Sequence, residues 1–422
     1  MNKTKTIAAI DLGSSKVATI IAQIAVDELT FDKSVNVIGV SSVESKGIKK
    51  GQIVNIDESV ETIITAIEAA ERMAGFNLSS SYIALGGGHI QSQNSHGVVA
   101  VSNPNAEIND SDVDRVIDAA SAISLPASRE VVHVLPREFI VDGESGVKDP
   151  IGMSGVRLEV ETHVVTASSA AVKNLNKSLG EAGVTPEDLV FSGLASAYAV
   201  LSETEKELGC VMIDIGAGTT SVAAFIDGSL AYSGVIPVGA KNVTNDIAIG
   251  LRVSLETAEK IKLHLSDDSK NKDEKDEIDL EAMGISDIKK ISKKTLTEGI
   301  VRPRLNEIFT MVRLELERER ILQRIPSGAI ITGGGAKTIG ATDSAKRMMS
   351  LPVRIGVPKG VTGLIDDVID PIFATTLGLL IYGSKHEISE TSGFKMTTKL
   401  KISKGSFGFA NKIIEAIKDL LP

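Results

Sequence analysis

The chain has 422 residues, 42% hydrophobic and 24% charged, with no Trp and a formal net charge of −10. That length divides into two or more domains with ample core. The acidic surplus excludes a nucleic-acid binder, since phosphate contacts need a basic surface. One cysteine, Cys210, forms no internal disulfide and fits a reducing compartment. No run approaches the ~20 apolar residues of a membrane span, and the stretch after Met1 is too short for a signal peptide. The expectation is a cytoplasmic protein able to touch a membrane surface.

In chain order, residues 7–16 form an apolar run that ends in Asp11 and turns through Gly13, Ser14 and Ser15 to Lys16. A second apolar run, 17–22, makes this a β-hairpin. Residues 59–74 predict a helix with Val60, Ile63, Ile64, Ile67, Ala70 and Ala74 on one face. A strand at 82–85 runs into Gly86, Gly87 and Gly88, which lack an adjacent acid and read as a domain junction. Then come a strand at 98–102, a helix at 111–123 capped by Ser111, and strands at 131–134 and 138–141 flanking Pro136. His89, His96, His133 and His163 lack metal-ligand spacing. Helices follow at 170–182, ended by Gly183, and from 196 to 201.

The hairpin pattern then returns. Residues 211–220 carry Asp214, Gly216, Gly218, Thr219 and Thr220, with an apolar run at 222–226. Helices are predicted at 244–252 and 255–265, a solvated loop at 266–279, and a long helix at 300–322. Its stripe is Leu305, Ile308, Phe309, Val312 and Leu316. Residues 329–336 form a strand ending in Gly333, Gly334 and Gly335, and 371–382 an apolar helix. Residues 384–404 read as a basic tether. In 405–422, Phe407 and Phe409 precede a helix with Ile413, Ile414, Ile417, Leu420 and Leu421 on one face. That pattern fits an interfacial helix on an anionic lipid surface, since a helix docked on its own core needs no long tether.

The duplicated tips carry the chemistry. Amides of such a turn form a nest for an anion, and the Asp holds a cation. Two facing copies grip a nucleotide polyphosphate, with Mg²⁺ held through water between Asp11 and Asp214. Gly13, Ser14, Ser15, Gly216, Gly218, Thr219 and Thr220 offer donors to the phosphates. Lys16 is either a phosphate lysine or a solvated turn lysine. The three glycines at 333–335 let backbone lie flat against a ligand. Glu259 and Lys262, three apart, share a helix face, and spacing alone reads them as an exposed ion pair. A Walker A loop at 335–338 and a dinucleotide fingerprint at 216–221 both fail on glycine placement.

The two Asp-Gly hairpins and the Thr332-Gly333-Gly334-Gly335 strand end resemble the actin and heat-shock chaperone ATPase superfamily. Val238-Gly239-Ala240, residues 244–248 and 258–262, and residues 150–159 are similar to the FtsA family of bacterial division proteins. The likeness spans nearly the whole chain. It implies an α/β, actin-like two-lobed ATPase fold with a small inserted α/β subdomain. Its parts would be a first lobe (1–85, 164–200 and about 370–384), an insertion for subunit contacts (86–163), and a second lobe (201–243 and 326–369). A capping and partner-binding subdomain (244–325), a linker (385–404) and a membrane helix (405–422) complete it. By the same resemblance Glu259 takes ribose hydroxyls, Lys262 borders adenine, and the three glycines pass beneath adenosine. Arg304, assisted by Lys293 or Lys294, receives the FtsZ C-terminal peptide. The family's usual second hairpin has Gly and Asp where this chain has Ala217 and Ser221, which implies tight ATP binding with slow turnover. The expected role is a division-site filament, formed with copies of itself, that anchors FtsZ to the inner face of the membrane. A PilM-like pilus scaffold and a sugar kinase are the alternatives; the end helix argues against the first, and no base facing a sugar pocket supports the second.

Overall fold

The computed structural model describes residues 5–26, 33–102, 107–267, 276–279, 290–364 and 368–389. Strands β1 (Lys5–Leu12), β2 (Lys16–Val26) and β3 (Lys33–Glu44) form an antiparallel meander. A two-rung hairpin, β4 (Ile48–Lys49) and β5 (Gln52–Ile53), leads to α1 (Ile56–Ala74), which Asn55 caps. The buried face of α1 is Ser59, Thr62, Ile63, Ala66, Ile67 and Ala70. The predicted stripe is therefore rotated, because the small Ala66 and Ala70 let the helix lie close to β2 and β3 while Val60, Ile64 and Ala74 stay half-buried at its flank. Strand β6 (Ser80–Leu85) pairs parallel with β1.

The insertion comprises β7 (Gln91–Ala100), α2 (Asp110–Ser121), β8 (Arg129–Val141), β9 (Glu144–Val147) and β10 (Arg157–Ser168). Its strands order β7–β10–β8–β9, and its own core includes Ile108, Val116, Phe139, Leu158 and Val160. Three expectations change here. Asn109 rather than Ser111 caps α2, with Asp112 completing the capping box. The strands expected on either side of Pro136 are one strand, since a register shift against Glu161 and Thr162 accommodates the missing N–H. Strand β7 begins at Gln91, because as an edge strand it tolerates the polar residues that concealed it. Strand β10 runs unbroken past the expected boundary at 163/164.

The chain returns through α3 (Ser169–Glu181), β11 (Thr185–Phe191), α4 (Ser192–Val200) and α5 (Glu203–Leu208). The second half opens with the meander β12 (Cys210–Ile215), β13 (Thr220–Ile226) and β14 (Ser229–Ile236). Next come α6 (Ala240–Leu251), α7 (Leu255–Leu265), the pair β15 (Glu277–Asp279) and β16 (Lys290–Ser292), and α8 (Lys293–Leu296). A π-turn at Thr297–Val301 joins α8 to α9 (Arg302–Arg318). The predicted long helix is thus interrupted at its start, where Pro303 has no N–H to give the ladder. Strand β17 (Ala329–Thr332) is followed by a 3-10 turn, Gly334–Lys337, then α10 (Ala341–Met349), β18 (Val353–Ile355) and β19 (Val361–Gly363). A further 3-10 turn, Pro371–Phe373, opens α11 (Ala374–Ser389). Residues 390–422, with the predicted membrane face from Phe407 to Leu421, lie outside the described residues.

Two sheets repeat one plan. The first orders β11–β6–β1–β2–β3–β19 and the second β14–β13–β12–β17–β18 among the described residues. In each, a meander carries a parallel strand beside its first member: β6 on β1, and β17 on β12. The late strand β19 joins the first sheet beside β3, ahead of the return expected near 370. Helices α4 and α11 cross between the sheets, and Met212, Ala223 and Ile330 of the second sheet share a core cluster with the first. At that crossing a Cβ on Gly378 would lie 1.8 Å from the Ala195 carbonyl oxygen. Gly378→Ala is therefore expected to lower the unfolding free energy by about 3 kcal/mol, as for overpacked cores. Urea denaturation measures it; an unchanged midpoint would show that the two helices can separate freely.

Candidate functional site

Both hairpin tips open onto one cleft of about 1400 Å³. Asp11, Gly13, Ser14, Ser15 and Lys16 line one wall, and Asp214, Gly216, Gly218 and Thr219 the other. Glu259 and Lys262 of α7, with Gly333, Gly334 and Gly335, line it further on. The turns are tight because β1 and β2 pair up to Leu12 and Val17, and β12 and β13 up to Ile215 and Thr220. The tips touch: a Cβ on Gly218 would lie 2.8 Å from the Ser14 hydroxyl oxygen. That hydroxyl accepts from the Gly51 N–H at 3.1 Å. Thr220, expected among the phosphate donors, does not line the cleft. It is buried and donates to the Val238 carbonyl at 2.8 Å, because strand alternation turns it away from Thr219.

The electrostatics bind the two halves together. Burial, and then the charge of Asp214, push the Asp11 carboxyl up to about 6, with Lys16 opposing. Burial also raises Asp214, against hydrogen bonds from Ser196 and Thr375. Burial lowers Lys16, whose charge Asp11, Asp370 and Asp214 favour. Its Nζ is buried without a hydrogen-bond acceptor among the described residues and sits 3.9 Å from the Phe373 ring centroid. The solvated-turn reading of Lys16 therefore fails. An orphaned buried ammonium suits a phosphate, and two carboxylates that repel one another suit a divalent cation. Among the described residues no cluster of three His, Cys, Asp or Glu cages a metal, so a cation here relies on waters and ligand oxygens.

The remaining site residues gain reasons that spacing did not supply. Lys262 is buried and bonds Glu259 at 2.7 Å and the Thr244 hydroxyl at 3.0 Å. The pair is thus a fixed network at the cleft, with Lys262 buried and Glu259 half-buried. A Cβ on Gly333, where φ is +80°, would lie 2.1 Å from Asp214 Oδ1, and one on Gly335 would lie 2.3 Å from Ile215 Cγ2. Two of the three glycines are therefore required by the wrap of this turn over β12, before any ligand is considered. Ser221, where the resemblance implies an acid, shares a 3.0 Å hydrogen bond with Ser192, and both line the cleft.

Sequence reasoning missed Ser192, Ser196, Thr244, Lys337 and Thr375, which reach the site from separate elements and leave no local pattern. It also read Gly86 and His89 as junction and structural residues, yet both line the cleft, and the His89 ring nitrogens lack partners among the described residues. Away from the cleft, Arg304 holds Asp246 through two bonds of 2.6 and 2.9 Å and also pairs with Glu307. Lys293 and Lys294 open α8, where the Lys294 N–H donates to Asp276.

A family model described as the SHS2 domain inserted in FTSA matches residues 87–166, and one described as cell division protein FtsA matches residues 211–378. The chain is 41% identical over 380 residues to cell division protein FtsA of Pseudomonas aeruginosa, spanning 90% of this chain and 89% of that one. It is 38% identical to that of Bacillus subtilis (94% and 88%) and 34% identical to that of Escherichia coli K12 (91% and 92%). Among solved structures it resembles the PilM-PilN type IV pilus biogenesis complex, with a TM-score of 0.63, 19% identity, and coverage of 90% and 98%. It also resembles MreB5 of Spiroplasma citri bound to ADP, with a TM-score of 0.54, 14% identity, and coverage of 92% and 99%. These structures share the actin-like fold.

Asp11 titrates near 6 in the fold against an ordinary 3.8, so its charged form opposes folding at neutral pH. Asp11→Asn is expected to stabilise the ligand-free protein by about 1–3 kcal/mol at pH 7.5. The gain should shrink as pH falls below 6 and vanish only below about 3, where Asp11 is protonated in both states. Denaturation curves across that range check it, and a pH-independent difference would contradict the assignment.

Proposed function

The chain belongs to the FtsA family of cell division proteins, and on that premise we propose that it binds ATP with Mg²⁺, assembles into filaments, and anchors FtsZ filaments to the inner face of the cytoplasmic membrane. The observation that carries the nucleotide reading is the facing of Asp11 and Asp214 beside the orphaned Nζ of Lys16. The turn amides at Gly13, Ser14, Ser15, Gly216, Gly218 and Thr219 cradle the phosphates, and Lys16 leaves the Phe373 ring for the β-phosphate. Glu259 takes the ribose hydroxyls, Lys262 borders the adenine, and the Gly333 to Gly335 turn lies beneath the adenosine. Asp11 and Asp214 hold Mg²⁺ through water, which screens phosphate charge. Ser221 in place of an acid supports slow turnover. The Spiroplasma MreB5 of like fold was solved with ADP and with AMPPNP.

The inserted subdomain carries contacts between copies, and residues 405–422 carry the lipid contact, with several weak anchors summing along a filament. Arg304 takes the FtsZ C-terminal peptide, aided by Lys293 and Lys294, and exchanges Asp246 for a peptide carboxylate as it does so. The PilM-like alternative rests on fold alone at 19% identity.

Nucleotide binding is tested by titration with a fluorescent ATP analogue. Lys16→Met should weaken binding about tenfold or more, the loss of a charged hydrogen bond. Equal affinity would remove Lys16 from the phosphates. Deleting residues 405–422 should abolish flotation with anionic liposomes; continued flotation would place the lipid contact elsewhere. For the peptide, Arg304→Glu should weaken binding about tenfold, while Asp246→Asn, which frees the guanidinium, should leave it equal or tighter. Weakening by Asp246→Asn would mean that the ion pair itself builds the surface.

A further inference from the structure

The two lobes are joined at two places. One is the crossing of α4 and α11, which packs against Met212, Ala223 and Ile330 in the middle strands of the second sheet. The other is the insertion, which leaves and re-enters the first lobe yet bonds to β14, an edge strand of the second sheet. Its root is firm. Ile90, Val165 and Ala167 belong to the core of the first lobe. The Arg129 guanidinium donates to the His89 and Thr166 carbonyls at 3.0 Å each, closing the base of the inserted strands.

On β14 the grip centres on Ser233. Its carbonyl accepts from the Ser92 hydroxyl at 2.7 Å, and its N–H donates to the same oxygen at 3.1 Å. Its hydroxyl donates to His163 Nε2 at 3.0 Å, since the Asn94 side-chain oxygen takes the proton on Nδ1. Nearby, Lys148 donates to the Asp227 carbonyl, and the Ser229 hydroxyl donates to the Arg137 carbonyl at 2.9 Å. Ser233 and His163 are buried. Strand pairing sets Ser233 opposite Ala223, on the strand that begins at the second hairpin tip with Thr220.

We propose that the insertion is a strap across the lobes, and that its grip on Ser233 gates the escape of nucleotide; this rests on the nucleotide reading above and adds its regulation. A polyphosphate held from both sides by touching tips leaves only when the lobes part. One attachment, at the helix crossing, would let them part about it. A second attachment at the sheet edge opposes that movement. The root is built into strands and core and cannot follow the second lobe, so the few hydrogen bonds on β14 give way first. A contact between copies that presses the insertion onto β14 slows release, which ties nucleotide residence to assembly.

The experiment loads the full chain with a fluorescent ATP analogue and Mg²⁺, then follows release into excess unlabelled ATP. Ser92→Ala removes two of the bonds and Ser233→Ala removes the bond to His163. Combined, they should speed release about tenfold, as the loss of ordinary hydrogen bonds does. Val116→Ala, in the insertion's separate core, should leave the rate at the parent's value. Conversely, the S92C/S233C pair, oxidised to a disulfide, should slow release about tenfold, and reductant should restore it; the native Cys210 is buried. Release that is unchanged in the double alanine variant or in the closed disulfide would overturn the proposal, as would equal acceleration by Val116→Ala. Should the first variants fail to fold or to cross-link, Lys148→Met cuts the grip at Asp227 from an exposed position. It should also speed release, and an unchanged rate there would count against the strap. A parent that never binds the analogue would instead overturn the nucleotide reading.

Discussion

Helix α11 passes so close to α4 that Gly378 has room for a hydrogen and nothing larger beside the Ala195 carbonyl. Much else depends on that contact. It sets the two sheets against a common layer, which joins Met212, Ala223 and Ile330 to the core of the first lobe. It places Ser196 and Thr375 on Asp214. It also brings Tyr382, fully buried, to donate to Asp188 at 2.8 Å and to meet Tyr82 and Tyr198 edge to face. The segment that leads toward the C-terminus is thereby fastened to both β6 and β11.

The cleft concentrates buried charge. Two carboxylates and one ammonium sit where burial opposes the charge of each, and the carboxylates repel. A ligand that brings phosphates and a divalent cation relieves all three at once, so binding and stability are coupled by mass action.

The insertion interrupts the first lobe in sequence yet is bonded to the second. The Ser92 hydroxyl donates to the Ser233 carbonyl at 2.7 Å and accepts from the Ser233 N–H at 3.1 Å. His163, whose pKa burial pushes down to about 3, lies neutral between the Asn94 side-chain oxygen and the Ser233 hydroxyl. Since that oxygen only accepts, Nδ1 carries the proton and Nε2 accepts from Ser233. Ser229 adds a bond to the Arg137 carbonyl. Relative movement of the lobes must carry this brace along or break it.

What the sequence determined is local and periodic. Two apolar strands ending in Asp and turning through Gly announced the duplicated hairpins, and the glycine run after residue 332 announced the turn between them, because strand alternation and glycine freedom are written within a few residues. The tertiary structure decided the rest. Polar β7 is a strand because its partner β10 makes it one; Pro136 lies within a strand because the opposite register shifts; Thr220 turns inward because pairing fixes its face. Lys16, ambiguous as a sequence, became a buried cation only when Phe373, 357 positions later in the chain, was folded over it. Contacts between residues so distant are set by packing geometry, which no local pattern records.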